Sequence, residues 1–218
     1  MHAEFWHDRW RQNQIGFHND EINLHLQQHW PVLQVDAGRR VFVPLCGKSN
    51  DMLWLLSQNH PVVGVELSPI AVSAFFSENN IPASTRKQNR FTVHETDGLT
   101  LYCGDFFDLS ADDLAGVTAV YDRASLVALP SDMRRAYTEH LRGLLESGST
   151  ILLIAFDYPQ HEMDGPPFCV PTEEVRTLYR DWCRVELLCS EELLDREPRF
   201  KERGLTRMQE QVYRLTVY

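Results

Sequence analysis

The sequence predicts an α/β fold: a mostly parallel sheet with helices on both faces and an antiparallel C-terminal edge. Three observations lead there. Short apolar runs (Arg40–Pro44, Val62–Glu66, Val117–Asp122, Ile151–Asp157) alternate with segments of helical periodicity, the pattern of a parallel sheet with crossovers. The first two runs are joined through Gly47 and a helix, and the second ends on a carboxylate, Glu66. The chain then closes on two alternating stretches, Val185–Leu188 and Gln211–Val217, as antiparallel strands do.

Each element has a local reason. Glu4 to Gln12 reads as a helix with Phe5, Trp6 and Trp10 clustered on part of its surface. Asn19 is placed to cap a second helix, Asp20 to Trp30, which Pro31 ends. After the Arg40–Pro44 strand, Asn50 or Asp51 starts a helix through Leu56. Ser68-Pro69 opens the next helix, a cap followed by a proline in the first turn. Phe91–His94 and Leu99–Cys103 flank Thr96-Asp97-Gly98, a hairpin loop. Ser131–Leu145 is strongly periodic, and a proline-rich loop spans Pro159 to Pro171 before Thr172 caps a helix to Trp182. No repeat or long linker interrupts the chain, so we expect one domain over residues 1–218, with residues 1–35 an N-terminal helical extension covering the site.

Composition narrows the function. With 218 residues, 43% of them hydrophobic, the chain makes one large core, or a core and a cap. No apolar run reaches the ~20 residues of a membrane helix. The start, Met1-His2-Ala3-Glu4-Phe5-Trp6-His7-Asp8, lacks the basic and apolar segments of a secretory signal. The five cysteines are an odd set without a C-x-x-C pair, and several lie in apolar stretches, which suits reduced thiols in a cytoplasm. A net charge of −10 argues against nucleic acid, and the one dense basic cluster, Arg196 to Arg207, is diluted by Glu197 and Glu202. Nothing in the sequence demands more than a monomer.

The chemistry is concentrated at strand ends. In open α/β sheets ligands bind outside the carboxyl ends of strands, where a glycine admits close approach and an acid about 20 positions on takes ribose hydroxyls. Gly47 and Glu66 are spaced that way. The remaining glycines of a dinucleotide fingerprint are missing, and the first glycine of a phosphate loop is replaced by Phe42. S-adenosylmethionine, which has a ribose and no phosphate, fits better; an ordinary turn beside a surface glutamate is the alternative. Asp105 and Phe106 follow another strand end and suit an adenine edge, or simply a turn with core phenylalanines. Arg123 ends the Val117–Asp122 strand; it either holds an anion or pairs with Asp122 or a neighbouring acid. Trp6, Trp10 and Phe17 make either a lid that favours the sulfonium by cation–π attraction or plain core packing. His25 and His29 stand one helical turn apart without a recognisable third ligand, so no metal is expected. Cys46 has no histidine near it in sequence to make it a nucleophile.

Val43-Pro44-Leu45-Cys46-Gly47-Lys48, Val63-Gly64-Val65-Glu66, Leu101-Tyr102-Cys103, Tyr121-Asp122-Arg123 and Gly165-Pro166-Pro167-Phe168 together resemble the thiopurine S-methyltransferase family. The resemblance runs from Phe5 to the C-terminus, and its P-L-C-G-K turn is far more specific than a lone glycine motif. It implies a Rossmann-like class I methyltransferase sheet and methyl transfer from S-adenosylmethionine to the sulfur of aromatic or heterocyclic thiols, giving S-adenosylhomocysteine. By position, Trp10, Leu45, Glu66 and Arg123 resemble the family's cofactor contacts, Trp6 and Phe17 its N-terminal cover, and Asp105 and Phe106 its adenine contacts. Arg123 and Arg199 fall where arginines approach the substrate, Arg199 within Glu197-Pro198-Arg199-Phe200-Lys201. The bacterial branch is associated with methylating selenium and tellurium compounds, so metalloid detoxification is an alternative, as is a non-catalytic S-adenosylmethionine binder.

Overall fold

Two strands buried along nearly their whole length carry the fold: β1 (Arg40–Val43) and β2 (Val62–Glu66). Such continuous apolar runs belong inside a parallel sheet covered on both faces. The computed structural model describes residues 3–218; residues 1 and 2, where the expected extension begins, lie outside the described residues. The chain divides into two compact units, Met1–Tyr121 and Asp122–Tyr218.

In the first unit the strand order is β3-β4-β5-β2-β1-β6, with β3 Ser84–Gln88, β4 Phe91–Thr96, β5 Leu99–Cys103 and β6 Val117–Arg123, the last reaching two residues into the second unit. β5, β2, β1 and β6 are parallel, whereas β3, β4 and β5 form an antiparallel meander. Helices α1 (Ala3–Arg11), α2 (Leu24–His29), α3 (Asp51–Ser57) and α4 (Pro69–Glu78) complete this unit. Ser68 caps α4 as expected, its hydroxyl accepting from the N–H of Ala71.

The second helix is shorter than its sequence suggests and is capped by Asn23, not Asn19. Residues before it are held out of the helix, because Asn50 Nδ2 donates to the Asp20 carbonyl (2.9 Å) and the Asn23 N–H donates to Asp51 (2.8 Å). Asp51 is buried and also accepts from the Tyr121 hydroxyl (2.9 Å), so one carboxylate ties the N-terminal segment to α3 and β6. Strand β3 has no counterpart in the sequence reading. Four of its five residues are exposed, so it carries no apolar alternation, and Arg86 and Lys87 suit an edge.

The second unit has three strands in the order β7-β9-β8, all antiparallel: β7 Thr150–Asp157, β8 Cys183–Glu192 and β9 Gln209–Val217. Its helices are α5 (Ser131–Leu144), α6 (Thr172–Tyr179) and α7 (Pro198–Glu202). A parallel core with antiparallel C-terminal strands is therefore what the chain forms. Helix α7 lies inside the mixed charge run and was hidden by it; its Phe200 is buried with Tyr158, Met163, Leu193, Leu194 and Met208. All five cysteines are free thiols. No helix among the described residues is long and apolar enough to cross a membrane.

Candidate functional site

The turn after β1 is the centre of the first unit's candidate site. Cys46 N–H donates to the Val65 carbonyl (3.0 Å), which carries the β1–β2 pairing past the strand end. The chain then turns through two residues in the left-handed region, Leu45 at φ +44 and Gly47 at φ +54. A left-handed leucine is strained and persists only where its surroundings over-determine it. Cys46 packs into space left by Gly64: a Cβ there would come within 2.9 Å of its sulfur and 2.5 Å of Leu101 Cδ2. Burial pushes the Cys46 thiol well up, and the neighbouring Glu66 carboxylate adds to this. Cys103, beside Glu66 on β5, is pushed up to about 11 for the same reasons. Neither thiol is an activated nucleophile.

Glu66 closes β2 at 6% exposure. Its Oε2 accepts from the N–H of Gly47 (2.9 Å) and its Oε1 from the N–H of Ser68 (2.7 Å). Burial raises its pKa, opposed by the N–H groups of Ser68, Gly47 and Leu67. One carboxylate thus braces the turn after β1 and the entry to α4. A carboxylate has about four lone-pair sites, so capacity remains beyond these bonds, which suits ribose hydroxyls. Lys48, whose position mimics a phosphate-loop lysine, is tied to Glu78 at 2.7 Å.

The N-terminal aromatics converge on the same turn. Trp10 is buried, and a Cβ on Gly47 would stand 3.4 Å from its Cζ2. Phe17 meets Trp10 edge-on at 5.6 Å and Trp6 at 5.7 Å, and Phe5 meets Trp6 at 5.2 Å. Trp6, Trp10, Phe17, Leu45, Gly47 and Glu66 therefore include a connected aromatic group, a strained turn and its carboxylate brace. Asp105 is exposed and accepts from the Phe107 N–H (3.0 Å), starting the short turn Phe106–Asp108. The Phe106 ring is buried and stacks on Phe42 at 6.4 Å, so its face is committed to the core. The rings of His25 and His29 lie 5.7 Å apart, as their helical spacing requires.

In the second unit Arg123, the last residue of β6, is half-buried and has no ion-pair partner among the described residues. The salt bridge to Asp122 left open by the sequence is not formed. Asp122 is instead fully buried, with its carboxylate occupied by Tyr137 and Leu126. Arg199, on α7, pairs with Glu197 (2.9 Å) and lies over Phe200 at 5.0 Å. Arg134 was missed by sequence reasoning. It is 3% exposed, donates to the Leu129 carbonyl (2.8 Å) and Glu174 (2.5 Å), and stands 5.9 Å over Phe168. It staples the loop after Pro167 to α5 and α6; only its apolar helical neighbourhood hinted at burial.

The residues present fit S-adenosylmethionine: a buried carboxylate for diol hydroxyls, a glycine turn with no side chain of its own beside Trp10, aromatic rings for a sulfonium, and a lysine already neutralised where a phosphate would need it. The family model described as thiopurine S-methyltransferase matches residues 1–217. The chain is 55% identical to thiopurine S-methyltransferase of Nitrosospira multiformis, over 99% of this chain and 98% of that one. It is 47% identical to the protein of that name in Pseudomonas fluorescens, covering 99% of both. Among solved structures, a SAM-dependent methyltransferase from Anabaena variabilis aligns with TM-score 0.65 and 14% identity over 99% of this chain and 95% of that one. The Burkholderia thailandensis 1,6-didemethyltoxoflavin-N1-methyltransferase, solved with S-adenosylhomocysteine, aligns with TM-score 0.62 and 15% identity, over 98% and 87%. At such identities these two establish the fold alone, that of class I methyltransferases.

Proposed function

The chain belongs to the thiopurine S-methyltransferase family, and from that premise we propose how its residues divide the work. The reaction is S-adenosylmethionine-dependent S-methylation. The observation that carries the site assignment is the buried Glu66 carboxylate gripping the N–H groups of Gly47 and Ser68 at the end of β2. In this reading Glu66 takes the ribose, Leu45 and Gly47 pass close to the donor, Asp105 and Phe106 border the adenine, and Trp6, Trp10 and Phe17 cover it as part of an extension over residues 1–35. Arg123 contacts the donor and, with Arg199, orients an anionic acceptor.

Bound there, S-adenosylmethionine supplies an activated methyl group and leaves as S-adenosylhomocysteine. The acceptor is a small aromatic or heterocyclic thiol, reacting as its thiolate. Such thiols ionise readily, so no strong general base is needed. The aromatic cover excludes water, and the arginines fix the sulfur in line; well-oriented reactants recover ~7–11 kcal/mol of barrier. The same reading makes the enzyme a cytoplasmic monomer that uses no metal.

Transfer of labelled methyl from S-adenosylmethionine to 6-mercaptopurine tests this, with selenite and tellurite as parallel acceptors. The expected result is methylated thiopurine, lost in Glu66→Ala, and a raised thiol KM with nearly unchanged donor affinity in Arg199→Ala. Label in the metalloid products alone would move the acceptor class. Donor binding without transfer to any of the three would leave a binding protein.

A further inference from the structure

We propose that Asp122 and Tyr137 are positioning residues that set the turn bearing Arg123. The inference rests on the reading above in which Arg123 meets the acceptor. Asp122 is 0% exposed. Its Oδ1 accepts from the N–H of Leu126 (3.3 Å) and its Oδ2 from the hydroxyl of Tyr137 (2.6 Å), while Ser125 contributes backbone and side-chain bonds. The carboxylate thereby joins three elements: the end of β6, the short turn Leu126–Ala128, and α5.

Between the anchored residues stands Ala124 at φ +66. A β-carbon is disfavoured there, so the conformation survives only because its neighbours fix it. Successive strand side chains point to opposite faces, so the Asp122 carboxylate faces away from the Arg123 guanidinium. It acts on the backbone either side of Arg123 and not on its charge. Arg123, with no ion-pair partner among the described residues, depends on that backbone for its aim. Burial lifts the Asp122 carboxyl to about 6, an unfavourable placement for a group that served packing alone.

The test is steady-state kinetics of the full chain with S-adenosylmethionine and 6-mercaptopurine. It compares Asp122→Ala, Asp122→Asn, Tyr137→Phe, Arg123→Ala and the double variant Asp122→Ala/Arg123→Ala. Asp122→Ala should lower kcat/KM for the thiol about tenfold or more, mainly through KM, with a smaller change in donor Kd. Asp122→Asn, which keeps an acceptor for the Leu126 N–H, should restore most of it. In the Arg123→Ala background Asp122→Ala should add little, as expected of residues acting as a unit. Additive losses, or a loss confined to donor affinity, would overturn the inference. If Arg123→Ala raises the thiol KM while Asp122→Ala does not, the inference alone falls. If Arg123→Ala leaves that KM unchanged, the acceptor role of Arg123 falls and takes the inference with it. Should the alanine variant not fold, Tyr137→Phe carries the same test: a raised thiol KM with Arg123 present and no further change without it.

Discussion

The turn after β1 and the turn after β6 use the same device with different wiring. Both pivot on a non-glycine residue in the left-handed region, Leu45 in one and Ala124 in the other, and both are locked by a buried carboxylate. In the first the carboxylate comes from the neighbouring strand: Glu66 of β2 reaches the Gly47 N–H. In the second it comes from the turn's own strand: Asp122 of β6 holds Leu126 and Tyr137. Glu66 spends its protein bonds on backbone donors and, in the proposed reading, keeps lone-pair capacity for a ligand. Asp122 is sealed, and its bonds go to protein alone. In the proposed reading, the difference separates a carboxylate that binds from one that only aims its neighbour.

The largest effect should come from removing the carboxylate proposed to bind, Glu66. Glu66→Gln keeps the size but replaces one acceptor oxygen by a donor, facing either the Gly47 or the Ser68 N–H. Hydrogen bonds to a charged group contribute ~1.5–3 kcal/mol each. Losing those to the ribose hydroxyls should weaken S-adenosylmethionine binding by about 100-fold or more. Isothermal titration calorimetry reads this directly. A loss below about fivefold would mean that Glu66 braces its turn and does not bind, erasing the contrast with Asp122.

The first turn was legible in the sequence and the second was not, for a physical reason. Gly47 and Glu66 belong to a pattern in which strand, turn, helix and strand follow one another, and β2 has the bounds its apolar run suggests. The Ser68-Pro69 helix start and the Asp97-Gly98 hairpin are equally local. Asp122 and Tyr137 sit 15 positions apart, and nothing in either neighbourhood marks them as partners. The same holds for Asp51, whose partners Asn23 and Tyr121 are 28 and 70 positions away. These long-range partners also displaced the cap of α2 to Asn23. Trp10 illustrates an intermediate case: its position in an amphipathic helix indicated burial, but only the fold set it against Gly47.

A smaller effect, on stability, should appear at Asp122. Its carboxyl is raised from 3.8 to about 6, chiefly by burial, despite bonds from Tyr137, Leu126 and Ser125. The tyrosines facing it, Tyr137 and Tyr179, are both raised by burial and by its charge, so both stay protonated and neutral beside it. A folded-state pKa above the unfolded one means that the folded protein binds more protons between the two values. The associated stability is present below about pH 4 and is lost as pH rises through about 6. The displacement corresponds to ~3 kcal/mol at most. Asp122→Asn cannot ionise, so its stability relative to the parent should increase by up to that amount from pH 4 to pH 7. Urea melts at the two pH values measure it. A difference that does not change with pH would show that Asp122 titrates as an ordinary carboxylate, and its sealing within the protein would no longer set it apart from Glu66.

The smallest effect tests whether left-handed strain is common to both turns. Replacing Ala124 by glycine removes a Cβ from a conformation that disfavours it, a relief of ~1 kcal/mol. It also adds unfolded-state freedom costing ~0.4–1 kcal/mol. The two nearly cancel, so Ala124→Gly should change stability by less than ~0.5 kcal/mol. Leu45→Gly carries the same two contributions and also loses a half-buried side chain, so it should be destabilised by ~1 kcal/mol or more. Urea melts of both variants decide it. Near-neutral Ala124→Gly with destabilised Leu45→Gly means the turns share their backbone strain and differ only in what their side chains do. If Ala124→Gly instead loses well over 1 kcal/mol, the methyl group itself packs against the turn. Asp122 would then share the work of holding Arg123 with a contact that its own carboxylate does not make.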